Sequence, residues 1–309
     1  MLINLFLWSL ILSFLIIIIW SFNPRKYRSS LTVSSSYDAW TNDKLLEKLW
    51  GEHIHLGYYS QFSNSKDFKQ AKIDFVHHLV HWSGLDKLPK GSRIIDIGCG
   101  IGGSSRILAR DYDFDVVGVT ISSEQVKRAS QLTPKDLSCR FQVMDALNLK
   151  FQDGSFDGVW SVEAGAHILD KQRYADEMLR VLRPGGVLAV ADWNRCNDKK
   201  LSLGLVDKLI MKQLLDQWSH PEFASIESFS DNLLNSSFCG GKVESDDWSK
   251  FTKPSWNDSI MEGFRRLDVF IELGPKSFLH GIREIPTILL MRLAFGSGLM
   301  RFGVFRSRG

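Results

Sequence analysis

Hydrophobic and polar positions change period several times along the chain. Between 67 and 84, apolar residues recur at Phe68, Ala71, Phe75, Leu79 and Trp82, the spacing of a helix with one buried face. Short apolar runs then alternate with helical stretches. Runs at 94–97, 116–119, 140–143, 156–161 and 187–192 read as strands, and 104–112, 171–182 and the stretch from 123 as helices. The turn "DGS" enters the fourth strand, and "RPGG" stops the helix before the fifth. Such alternation predicts an α/β fold, a mostly parallel sheet with helices on both faces. The last third is less regular. Helices are expected at 203–218, 226–234 and 286–296, a sixth strand in "GKVESDDW" and a seventh at 300–306.

One run fits neither period. From 1 to 22 there is no charged residue, and "IIIIW" is apolar on every face. A helix of that length reaches about 33 Å, enough for a ~30 Å hydrocarbon core. Basic residues follow in "NPRKYRSS". The pattern predicts a transmembrane anchor over 1–22, a juxtamembrane linker over 23–36, and a catalytic domain over 37–309 on the cytoplasmic side. Within that domain, 37–90 reads as a lid segment, 91–195 as a cofactor-binding core, and 196–309 as substrate-covering additions with the last strands.

Charge and cysteines narrow the chemistry. A formal charge of +3 over 309 residues gives no basic field for nucleic acid. Cys99, Cys139, Cys196 and Cys239 are widely spaced, which fits reduced thiols. His77, His78 and His81 cluster on one helix without an H-E-x-x-H pattern or a cysteine partner, so no metal is expected.

The most informative stretch is "RIIDIGCGIGGSSRILAR", 93–110. Gly98, Gly100 and Gly103 satisfy G-x-G-x-x-G, the fingerprint of a dinucleotide site. A nicotinamide site also needs an acid at the end of the second strand, and Thr120 stands there. An acid instead precedes the first glycine. Asp96 would repel a pyrophosphate and attract an ammonium group. S-adenosylmethionine, a cation without phosphate, satisfies both observations, with Asp96, Gly98, Cys99, Gly100 and Gly102 as its loop. The pattern D-x-G-x-G-x-G resembles motif I of class I methyltransferases, whose fold is Rossmann-like. Asp145 and Ala146, in "VMDALNL" after the third strand, match the family's adenine-binding position, although Asp145 can also cap a helix.

Longer segments carry a closer resemblance. "YDAWT", "WGEHIHLGYY", "GVTISSEQVKRA", "SVEAGAHILDK", "ADWN" and "EIPTILLMRLAFGSGLMRFGVF" occur in order. The chain resembles cyanobacterial members of the tocopherol methyltransferase family over nearly its whole length. In such relatives the threonine and glutamine of "GVTISSEQ" serve the ribose, which maps to Thr120 and Gln125; Ser122 and Gln125 also form a capping box. By resemblance to cyclopropane synthases, Tyr37 touches the cofactor's carboxylate end, and Ser161 completes the expected cofactor contacts.

The resemblance implies ring-carbon methylation of a prenylated benzoquinol, 2-methyl-6-phytyl-1,4-benzoquinol or its solanesyl analogue, toward tocopherol and plastoquinone. It implies a plasma or thylakoid membrane as the setting, with membrane lipid as a partner. Alternatives are a γ-tocopherol methyltransferase, a cyclopropane synthase, and a non-catalytic membrane module that binds S-adenosylmethionine. Carbon methylation needs a phenolate, and a quinol hydroxyl with pKa about 10 lies within reach of a base of histidine strength. His167 is the first candidate, with Glu163 one helical turn earlier to orient it. His53 and His55, on one side of an extended segment, are the others.

Overall fold

The computed structural model describes residues 23–60, 67–197 and 203–308, together with residues 8, 12, 16 and 19–21. Seven strands form one sheet in the order β3-β2-β1-β4-β5-β7-β6. They are β1 (Arg93–Ile97), β2 (Asp115–Thr120), β3 (Cys139–Val143), β4 (Phe156–Val162), β5 (Leu182–Arg195), β6 (Val243–Asp247) and β7 (Met300–Arg308). The first five pair in parallel, while β7 runs antiparallel between β5 and β6. This is the mostly parallel sheet that the alternation predicted, in the Rossmann-like form that the resemblance implied.

Alternate strand residues feed two cores. Ile94 and Trp160 pack on one face with Phe75, Leu79 and Leu108, under α3 (Phe68–Ser83) and α4 (Gly103–Tyr112). Ile95 and Ile97 pack on the other with Tyr174, Met178 and Phe229, under α6 (Lys171–Val181) and α8 (Ile226–Leu234). Between these helices lies α5 (Ser123–Leu132), which Ser122 caps by accepting the N–H of Gln125. The "RPGG" turn sits inside β5. Phe156 pairs with Leu182 and Gly158 with Val187, so 183–186 loop out of register.

The structure departs from the sequence expectations in three places. The aromatic N-terminal region folds as α1 (Ser30–Asp43) and α2 (Leu45–Trp50), so a helix starts inside the stretch expected as linker. Only the strap at 51–59 is irregular. After α7 (Leu205–Gln217), the C-terminal additions hold three unforeseen helices, α9 (Ser249–Thr252), α10 (Pro254–Arg265) and α11 (Leu267–Leu273). The last helix, α12 (Pro275–Ser297), begins eleven residues before Pro286 and carries that proline inside it. It packs on α7, α10 and α11, and this tertiary support overrides the break expected at proline.

The third departure corrects the anchor. Among the described residues no helix is long and apolar enough to cross a membrane. The longest, α12, carries Lys276, Arg283, Glu284 and Arg292. The end of the apolar N-terminal run packs on the protein: Arg283 lies 5.0 Å over the Trp20 ring, and Ser21 is buried. The expected transmembrane helix over 1–22, and the single-pass placement of the catalytic domain on the cytoplasmic side of a membrane, are thus corrected: the described residues give neither any support. Most of 1–22 lies outside the described residues.

Candidate active site

The loop after β1 is built by backbone geometry. Gly98, Gly100 and Gly102 have φ of +79°, +54° and +82°, a region that other residues enter only with strain. The N–H groups of Gly98 and Cys99 both donate to the Val119 carbonyl, at 2.8 and 3.1 Å, so the loop folds over the end of β2. Gly102 caps α4 and stays off the cavity wall; a β-carbon there would lie 2.5 Å from the Phe141 ring.

A cavity of about 330 Å³ opens beyond this loop, at the carboxyl ends of the strands. Tyr37, Asp96, Gly98, Cys99, Gly100, Thr120, Gln125, Asp145 and Ala146 line it, as do Glu163, His167, His53 and His55. Ser161, like Gly102, does not. Its hydroxyl donates to the Ile97 carbonyl at 2.7 Å and meets the Tyr174 hydroxyl at 2.6 Å, locking β4 to β1 and α6.

Asp96 is buried and accepts the Ser105 hydroxyl at 2.5 Å. Burial without a cation pushes its carboxyl up to about 7. The Thr120 hydroxyl donates to Gln125 Oε1 at 2.7 Å, so Gln125 serves the cap through its backbone and the cavity through its side chain. Asp145 Oδ1 accepts the N–H of Leu147 at 2.9 Å.

The candidate bases are placed differently from the expected pairing. Residues 165–167 form a single 3-10 turn, and no Glu163–His167 hydrogen bond forms among the described residues. His167 Nε2 meets the Tyr37 hydroxyl at 2.9 Å instead, and its ring stacks on His220 at 4.2 Å. Its Nδ1 is buried without a partner among the described residues. Burial holds the imidazole neutral, down to about 3. Glu163 sits at the end of β4 with φ +54°, an uncommon conformation for glutamate that aims it at the cavity. Its Oε1 accepts the N–H of Leu56 at 2.7 Å. Burial, opposed by that bond and reinforced by the nearby Asp192 charge, raises it to about 8.

The strap closes the other wall. Glu52 pairs with Arg106 at 2.8 Å, and Gly57 and Tyr59 bond to Ser255 and Asp258 at 2.7 and 2.6 Å. His55 Nδ1 donates to the Leu56 carbonyl at 2.8 Å, which leaves Nε2 to accept from His53 Nδ1 at 3.1 Å. Both rings are held neutral by burial, His55 at about 3.

Several contributors escaped the sequence reading. Lys72, buried in α3, donates to the His53 carbonyl at 2.6 Å and lies 4.2 Å over the Phe68 ring; burial lowers it to about 7. It sits on the apolar stripe of that helix, where a lysine is out of place, and that was its signal. Asp192, of "ADWN", accepts the N–H of Ala166 at 3.1 Å and fixes the turn that carries His167. Trp193, Trp218 and Trp256, whose rings contact one another, line the cavity, as do Phe264, Phe278 and Ile288. His77 and His81 bond to Tyr112 and Asp86, and His78 stacks on Tyr58.

The sequence model of a methyltransferase domain matches residues 95–190. The 2-methyl-6-phytyl-1,4-hydroquinone methyltransferase of Synechocystis is 55% identical over 283 residues, 92% of this chain and 89% of that protein. The chain belongs to the tocopherol methyltransferase family. The chloroplastic tocopherol O-methyltransferase of Arabidopsis thaliana is 32% identical, covering 84% of this methyltransferase and 77% of the plant protein. Among solved structures, the cyclopropane synthase MmaA2 of Mycobacterium tuberculosis shares the fold at a TM-score of 0.75 and 15% identity, over 90% and 97% of the two chains.

S-adenosylmethionine is the cofactor of this methyltransferase, and its residues fit that group. A side chain at Gly100 would project into open cavity, its nearest contact Gln125 Nε2 at 4.0 Å, so the glycine leaves room for a ligand against the backbone. Asp96 offers the cavity a carboxyl group, which suits a cation, and the loop offers no lysine or arginine to a phosphate.

Proposed function

We propose that this methyltransferase methylates a ring carbon of a prenylated 1,4-benzoquinol, 2-methyl-6-phytyl-1,4-benzoquinol first and its solanesyl analogue second. The observation that carries the reading is the 55% identity to the Synechocystis enzyme across 92% of the chain. The lining of the cavity supports it. Polar groups, Asp96, Glu163 and His167, share it with Trp193, Trp256, Phe264 and Phe278, which form the tail-binding arm in this reading. Head group and isoprenoid tail demand that division, since each buried CH₂ contributes about 0.8 kcal/mol.

Asp96, Gly98, Gly100, Thr120, Gln125 and Asp145 hold the cofactor in this reading. Bound S-adenosylmethionine supplies an electrophilic methyl on a cationic sulfonium. The chain's own task is to form the phenolate and hold the ring. A phenol at about 10 faces Glu163 at about 8, a gap near 3 kcal/mol. Against His167 at about 3 the gap is near 10 kcal/mol. In this reading Glu163, the stronger base of the two, takes the proton on the oxygen not engaged by Leu56, and His167 comes second. His167 and Tyr37 form a neutral pair in the cavity wall, against which the ring is held. His53, His55 and Lys72 hold the strap that keeps water from the ring.

Incubating the purified protein with radiolabelled S-adenosylmethionine and a panel of prenylated quinols tests this reading. Transfer to the phytyl or solanesyl quinol is expected; transfer only to a lipid without a quinol head would overturn it.

A further inference from the structure

A second cavity, of about 670 Å³, lies between the residues before α1 and the α12 helix. It shares Trp40, Leu45, Leu46 and Glu284 with the active-site cavity, and its own wall carries Arg25, Lys26, Arg28 and Arg283. The acids of that wall are engaged. Glu284 takes both terminal nitrogens of Arg25, at 2.7 and 3.0 Å, and Asp43 holds His280 Nδ1 at 2.7 Å. Among the described residues no carboxylate forms an ion pair with Lys26, Arg28 or Arg283.

Two further donors are left over. The Nε–H groups of Arg25 and Arg283 are buried without an acceptor among the described residues. Native interiors rarely leave such donors unpaired, and an ion is one of the groups that satisfies them. Guanidinium forks match the oxygens of a phosphate.

We propose that this cavity binds a phosphate group, held by Arg28, Arg283 and the Nε–H of Arg25, with Lys26 at the rim. The group belongs to an anionic lipid headgroup or to a soluble phosphate. Its place gives it a consequence for the reaction: the shared residue Trp40 lies on α1, the helix that carries Tyr37, so an occupant braces the active-site wall.

The test uses the intact chain in two arms. Calorimetry at fixed ionic strength measures binding of inorganic phosphate. Co-sedimentation compares vesicles of phosphatidylcholine with vesicles that also contain phosphatidylglycerol. The double variant Arg28→Gln/Arg283→Gln is expected to bind about tenfold more weakly in the responsive arm, the loss of one to two charge-assisted hydrogen bonds. Exposed Lys26→Gln is expected to lose about two- to threefold, and it keeps the test valid if the double variant does not fold. Phosphate heat that the substitutions weaken identifies a soluble ligand. A preference for anionic vesicles that they weaken, without phosphate heat, identifies a headgroup. No binding of either probe, or binding equal in all three proteins, overturns the proposal.

Discussion

The backbone N–H of Leu56 donates to Glu163 Oε1 at 2.7 Å, which joins the strap over the site to the carboxylate at the end of β4. One bond thus couples closure of the site to the group assigned as base.

Glu163→Gln separates the two roles. The amide oxygen still accepts from Leu56, so the strap stays in place, but the proton acceptor is gone. The expected outcome is a fall in kcat of about 10²–10⁴-fold with cofactor affinity nearly unchanged. Calorimetry with S-adenosylmethionine beside steady-state kinetics checks it. Equal losses in both would assign Glu163 to structure alone.

The pH profile follows from the same carboxyl. Its value in the free protein is raised to about 8, and only the ionised form takes a proton. The profile of kcat/KM should therefore rise through about pH 8 and level off above it. His167→Gln should lower the plateau and leave the midpoint. A flat profile from pH 6 to 9 would point to His167, whose depressed value of about 3 keeps it deprotonated throughout.

The fold was legible because its signal is local. Strand–helix alternation located β1 to β5 to within a few residues, and the glycine pattern located the loop. The site was legible where one element supplies a motif, as with Asp96 and Gly98. It was obscure where distant elements meet. Glu163 and His167 are close in sequence, yet Leu56 and Tyr37, over a hundred residues away, claim their polar atoms. Lys72 and Asp192 act through backbone groups of other segments, which spacing does not reveal. Of the three unforeseen helices, α10 and α11 pack against α12 and α9 against β7 and α10, contacts between segments that spacing does not reveal.

The proposed place of Asp96 beside the cofactor predicts a pH-dependent affinity. Its carboxyl stands at about 7 when no cation faces it, and a bound cation favours the ionised form. Affinity for S-adenosylmethionine should then rise with pH, by up to about tenfold per unit below pH 7, and binding should release a proton there. Calorimetry in two buffers of different ionisation enthalpy measures that proton. Asp96→Asn should bind more weakly at pH 8 and lose the pH dependence; an unchanged slope would contradict the assignment.

Gly103→Ala probes the contact between strap and α4. A β-carbon there would lie 2.5 Å from the Glu52 carbonyl oxygen and 2.9 Å from the His53 ring. The strap must shift, at a cost of about 1–3 kcal/mol. Urea unfolding is expected to show that loss, together with a raised KM for the quinol. Full stability would mean that the strap sits elsewhere.

Phe264 tests the tail-binding arm. It lines the cavity yet is 63% exposed, so Phe264→Ser should be tolerated by the fold. The variant should raise KM several-fold for a phytyl quinol and little for a quinol without a tail. Equal effects on both substrates would remove the tail from this arm.

The most direct measurement is the structure of the product. The purified enzyme is given S-adenosylmethionine with a ¹³C-labelled methyl group and 2-methyl-6-phytyl-1,4-benzoquinol, and the product is read by NMR. The label is expected as a new methyl on a ring carbon. A label on a quinol oxygen, or no transfer to this quinol, would contradict it.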